Sequence, residues 1–126
     1  MSKRLNALAG VLLWLVASPA LAGEADVRAV QVHKSGDGTY RFDVTLQHAD
    51  TGWDHYADRW EVLTPAGDII ATRTLYHPHV DEQPFTRSLS GIEIPPGVRQ
   101  VVVRAHDSVH GYGGEQQRVD LSASQK

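Results

Sequence analysis

The chain has 126 residues, 12 basic and 15 acidic side chains, seven histidines and no cysteine. That length supports one domain with a core of ordinary size, and the acidic balance argues against nucleic acid or an anionic membrane surface as its partner. Without cysteine there is no disulfide, no thiolate nucleophile, no iron–sulfur cluster and no cysteine-ligated blue-copper centre.

The chain opens with Lys3 and Arg4, an apolar run from Leu5 to Val16, and the small-residue pattern Ala20-Leu21-Ala22 after Pro19. This is the pattern of a secretory signal over residues 1–22, cleaved before Gly23. The run is too short for the ~20 apolar residues of a membrane span. No cysteine stands at the cleavage site to take a lipid anchor. The expected product is a periplasmic or secreted domain over residues 23–126, with no membrane span after cleavage. Its ten basic and 15 acidic residues give a net charge of −5.

The rest of the chain alternates with period two between turn signals. A first strand around Val30 and Val32 ends in Ser35-Gly36-Asp37-Gly38. In the second, Tyr40, Phe42, Val44 and Leu46 face one way and Arg41, Asp43, Thr45 and Gln47 the other. A polar loop, 49–56, precedes a third strand from Arg59 to Leu63 that contains Trp60, a core candidate. Thr64-Pro65-Ala66-Gly67-Asp68 is a turn. Strands follow over 69–76, 85–94 (bent near Gly91), 98–105 and 116–121. Seven short strands in about 100 residues predict an all-β, immunoglobulin/fibronectin-III-like antiparallel sandwich.

Each strand crosses such a sandwich once, so alternate connections share an end. Loops one, three and five are plain turns. Loops two, four and six contain His55, His77, His79 and His110, with His48 and His106 at their edges. Imidazole is the commonest neutral metal ligand. In His77-Pro78-His79 the proline favours an extended geometry that points both rings the same way. In His106-Asp107-Ser108-Val109-His110, the glycines that follow allow His110 to curl back over the rim.

The expected ligands are therefore His77, His79, His106 and His110, with His55 next. Asp81, Glu82 and Asp107 are expected as outer partners that orient the rings. His48 continues the inward parity of Leu46, which favours a hydrogen-bonded position at the top of the core. Imidazole and carboxylate without thiolate suit Zn(II), Cu(II), Ni(II) or non-haem iron, and of these Cu(II) or Zn(II) is expected. The only methionine is Met1, inside the signal, which argues against a methionine-based Cu(I) carrier.

The stretches Leu75-Tyr76-His77-Pro78-His79-Val80-Asp81-Glu82-Gln83-Pro84-Phe85-Thr86-Arg87 and His106-Asp107-Ser108-Val109-His110-Gly111-Tyr112-Gly113-Gly114 resemble a group of small uncharacterised exported bacterial β-sandwich proteins. That resemblance implies no activity. Superoxide reductases also place histidines on an immunoglobulin-like sandwich, but their iron requires a cysteine absent from this chain.

No P-loop, dinucleotide fingerprint or nucleophile elbow occurs, and an organic cofactor or enzymatic activity is not expected. The functional expectation is a carrier or sequestering protein for a divalent transition metal. The alternative is a metal-free periplasmic module that binds a protein or small molecule through Trp53, Tyr56, Tyr112 and the polar loops. A third reading is a rim whose histidines respond to pH.

Overall fold

The computed structural model describes residues 23–122, so the segment 1–22, where the sequence predicts a signal, lies outside the described residues. Seven strands form in the expected order: β1 (Asp26–Lys34), β2 (Tyr40–Gln47), β3 (Ala57–Leu63), β4 (Ile69–Thr74), β5 (Phe85–Ile92), β6 (Gln100–Asp107) and β7 (Gln117–Asp120). They make two antiparallel sheets, β1-β2-β5 and β4-β3-β6-β7. The fourth strand pairs with the third rather than the fifth, which is the fibronectin-III arrangement of an immunoglobulin-type sandwich.

The core follows the period-two pattern. Tyr40, Phe42, Val44 and Leu46 of β2 are buried against Trp60 and Val62 of β3 and Val101, Val103 and Ala105 of β6. In β1 the register shifts between Val27 and Ala29, so Val27 pairs with Leu46 while Val30 and Val32 pair with Val44 and Phe42. This bulge keeps all three valines on the core side of one strand.

Several strand ends differ from the sequence reading by one or two residues, and those of β3, β4 and β6 lie beside the site. β4 ends at Thr74, two residues short of the expected Tyr76, and the Leu75 amide still continues the pairing with β3 by donating to the Asp58 carbonyl at 2.9 Å. β6 runs two residues further than expected, to Asp107, because β3 begins at Ala57 and supplies partners for both His106 and Asp107. Those two residues therefore point to opposite faces of the sheet.

Loops two, four and six do share one end. The His79 amide donates to Asp50 Oδ2 at 2.6 Å, and the Ser108 amide to the Tyr56 carbonyl at 2.9 Å.

On the outer face of the four-stranded sheet, Glu61 is nearly buried among cations. Arg104 Nε and Arg59 Nε donate to it at 2.9 and 3.0 Å, and the Tyr112 hydroxyl at 2.9 Å. The Arg104 guanidinium also lies 3.7 Å from the Tyr112 ring centroid. Tyr112 is thus committed to this network.

Trp60 is fully buried between the sheets. Its truncation to alanine should lower unfolding free energy by about 3–5 kcal/mol in urea titrations. Burial raises the Glu61 carboxyl pKa, but its hydrogen bonds to Arg104, Arg59 and Tyr112 outweigh that and hold it below its ordinary value. A depressed folded pKa gives stability that is complete above the unfolded value of about 4.3 and lost as pH falls below it. Glu61→Gln should accordingly flatten the dependence of melting temperature on pH below that point.

Candidate metal centre

The site sits where the two sheets meet at the rim. Inward parity on β2 runs Phe42, Val44, Leu46 and then His48, one residue past the strand. Inward parity on β6 runs Val101, Val103, Ala105 and then Asp107. The next layer of the hydrophobic core, one side chain from each sheet, is therefore an imidazole and a carboxylate. Both side chains have no solvent exposure. A third group comes from loop two. The Thr51 amide donates to the His55 carbonyl at 3.0 Å and the His55 amide to the Gly52 carbonyl at 3.2 Å, a tight turn that folds His55 over the rim.

His48 Nε2, His55 Nε2 and a carboxylate oxygen of Asp107 lie within 4.8 Å of one another. Asp107 Oδ2 touches His48 Nε2 directly and is 2.6 Å from His55 Nε2. The Gly23 carbonyl oxygen lies 3.0 Å from His48 Nε2 and 3.2 Å from His55 Nε2. His110 stands behind, its Nδ1 3.3 Å from Asp107 Oδ1 and its ring centroid 4.9 Å from that of His55. An open depression of ≈ 330 Å³ flanks the group, lined in part by Gly23, Glu24, Asp26 and His48.

The protons decide what the group can do. Asp107 Oδ1 is taken by the Val109 and His110 amides, at 2.6 and 2.7 Å, leaving Oδ2 to face the imidazoles. His48 Nδ1 is bonded to Asp50 Oδ1 and must donate to it, since Asp50 already accepts the Ala57 amide at 3.0 Å and the His79 amide at 2.6 Å. A neutral His48 then aims a lone pair from Nε2 at two further lone pairs, on Asp107 Oδ2 and the Gly23 carbonyl. That arrangement is repulsive unless a cation stands in it: a proton or a metal.

In the protonated state His48 is an imidazolium. Burial opposes that charge, but the bonds to Asp50 and the Gly23 carbonyl and the charge of Asp107 outweigh it and raise the His48 pKa. Burial also opposes the Asp107 anion. The His110 and Val109 amides and the charge of His48 prevail and lower its pKa. Donor atoms on one ion at Zn–N of about 2.0–2.1 Å stand roughly 3–3.5 Å apart. The Gly23 carbonyl already stands at such distances, 3.0 and 3.2 Å, from the two Nε2 atoms, whereas Asp107 Oδ2, 2.6 Å from His55 Nε2 and touching His48 Nε2, has to draw back from both imidazoles to admit an ion.

The expected ligands divide into separate groups. His55 and His110 are at the centre, and Asp107 faces the shared space itself rather than standing behind a ring. His106, on the outward parity of β6, turns away: its Nδ1 is 2.6 Å from Asp58 Oδ1 and its ring packs edge-on against Tyr112. His77 and His79 form their own pair, with ring centroids 4.7 Å apart. The His79 ring is buried and stacks on Phe85 at 4.0 Å, while its backbone serves the site by anchoring Asp50. Asp81 is exposed, and Glu82 pairs with Arg87 at 3.0 Å. Trp53 is exposed and meets Tyr56 edge-on at 5.5 Å.

The sequence reading placed His48 at the core top but not among the ligands, and it missed Asp50 and the Gly23 carbonyl. Parity alone signalled Asp107, as the inward continuation of Val101, Val103 and Ala105. Nothing local signals Gly23, which arrives at the site by running alongside β2 and loop six.

No protein-family model matches the chain. Over 100 residues it is 50% identical to a protein of Halomicrobium mukohataei named "Putative lipoprotein", in an alignment that takes in 79% of this chain and 49% of that protein. The chain therefore spans about half the length of that relative. It is also similar to the crystal structure of a hypothetical protein from Pyrococcus horikoshii OT3, with TM-score 0.53, 14% identity, and coverage of 82% of this chain and 93% of that one. This second likeness shows the fold alone.

Removing one member of a buried ion pair leaves the other charge uncompensated and costs about 3–5 kcal/mol. Asp107→Ala should incur that loss in metal-free protein, by chemical denaturation. His55→Ala, whose side chain is about one-quarter exposed, should cost far less.

Proposed function

We propose that this is an exported metal-binding protein that takes up a single Cu(II) or Zn(II) ion through His48, His55 and Asp107, as a carrier or sequestering protein. The observation that supports this reading is the convergence of His48 Nε2, His55 Nε2 and Asp107 Oδ2, whose facing lone pairs are relieved by a proton or by a metal ion. His110 is the nearest further imidazole. Asp50 holds the His48 ring in the tautomer that presents Nε2 outward, the usual task of a carboxylate behind a ligating histidine. Two imidazoles and a carboxylate form a borderline donor set that suits either metal. The signal pattern of residues 1–22 and the name of the Halomicrobium relative support export. A lipid anchor is not carried over, since these 126 residues include no cysteine.

A second reading has its own support. Trp53, Tyr76, Val80 and Val109 are all exposed on the loops of this same end. An apolar rim of this kind suits a protein partner, and a metal-free interaction module would use it without the buried ion.

Titration calorimetry of the mature protein with each metal separates the two readings. The metal reading expects about one equivalent bound with Kd below about 10 μM, protons released as the ion replaces the one on His48, and a melting temperature raised by mass action. His55→Ala should weaken binding by about 100-fold or more, while His77→Ala and His106→Ala leave it near wild type. Binding weaker than that limit for both metals would favour the interaction module.

A further inference from the structure

We propose that the α-amino group of the processed chain, on Gly23, is itself a ligand of this centre and closes a five-membered chelate with the Gly23 carbonyl oxygen. This rests on the metal reading above and adds to it a dependence on signal cleavage.

Three observations converge on Gly23. The signal pattern ends at Ala20-Leu21-Ala22, which makes Gly23 the first residue of the exported chain. Its carbonyl oxygen already stands among the ligands, 3.0 and 3.2 Å from the two Nε2 atoms. Its α-carbon lies against His110, so close that a β-carbon would fall 2.8 Å from His110 Cε1. A side chain there would have to displace the His110 ring. Covalent geometry keeps the nitrogen of any residue within about 3.6 Å of its own carbonyl oxygen, whatever the torsion between them. The terminal nitrogen therefore lies beside the same group of donor atoms, and rotation about one bond turns it toward them.

The segment that presents it is fixed. The Val27 amide donates to the Glu115 carbonyl at 2.8 Å, and the Glu115 amide donates to Asp26 Oδ1 at 2.7 Å. Ala25 and Val27 are buried, and a side chain at Gly114 would collide with the Ala25 carbonyl. Loop six thus pins the start of the mature chain over the histidines.

The chemistry gives this contact a consequence. A free amine, once it releases its proton, is a good donor to Cu(II) or Zn(II). The same nitrogen inside a peptide bond has its lone pair delocalised into the carbonyl and is a poor one. In the precursor, residue 22 is attached to Gly23 and the nitrogen is of the second kind. The complete centre, with amine, carbonyl, two imidazoles and a carboxylate, exists only after the signal is removed. The ion is therefore held tightly on the far side of the membrane and not before export.

The test uses the full chain exported and processed from its own signal, with the terminus read by intact mass. A variant with one alanine inserted before Gly23 retains every side chain but moves the amine one residue away. Calorimetry with Cu(II) and with Zn(II) should show affinity falling by about 100-fold, at the upper end of what loss of an outer-shell partner costs a metal site, with the metal-free melting temperature unchanged.

Wild-type protein labelled only with [15N]glycine and loaded with Cu(II) should show a strong, directly bonded 15N coupling by pulsed EPR, absent from the inserted variant. Unchanged affinity on insertion, absence of the 15N coupling in wild type, or a mature terminus other than Gly23 would each overturn the amine ligand. If His55→Ala still abolished binding in those cases, the centre itself would stand. Failure of wild-type protein to bind either metal would sink both.

Discussion

The carboxylate of Asp107, without solvent exposure at the end of β6, is the constraint on which the upper half of this structure depends. An isolated buried anion is costly, and the chain is arranged around it so that it is not isolated. One oxygen receives the Val109 and His110 amides, which shapes the start of loop six. The other faces His48 from the opposite sheet and His55 from loop two. Loop six in turn holds Asp26 and Val27 at the start of β1. A single charge thus ties together both sheets and two loops.

That arrangement has two layers. The inner one is cross-bonded: Asp50 accepts from the Ala57 and His79 amides and holds His48, while Gln83 accepts the His48 amide at 2.9 Å and donates to the His79 carbonyl at 2.9 Å. Loop four acts here through its backbone and Gln83, not through the imidazoles it carries. The outer layer, His55, His110 and Gly23, is nearer to solvent.

The histidines illustrate how one residue type takes different roles within a few ångströms. His48 is buried between two aspartates, His79 is stacked on Phe85, and His106 is bonded to Asp58 on the outer sheet face. Counting imidazoles at one end of a sandwich finds the correct end and overstates how many can meet. What separates them is which sheet face each strand position occupies and what the neighbouring loop places beside it.

Much of the fold was legible in the sequence. Period-two alternation identifies the inward residues of β2 and β6, turn chemistry counts the strands, and the parity of connections places loops two, four and six together. These are local or nearly local properties, set by the geometry of an extended chain. His48 and Asp107 were within reach of the same rule, as the inward positions just beyond Leu46 and Ala105.

The tertiary structure alone decided which side chains converge. The extension of β6 to Asp107 depended on where β3 begins, and the turn of His106 away from the rim followed from it. The anchoring of Asp50 by the His79 amide spans 29 residues, and the approach of Gly23 to His48 spans 25. Contacts over such separations are set by how two sheets pack and by the charge buried between them, and no local pattern of residues encodes them.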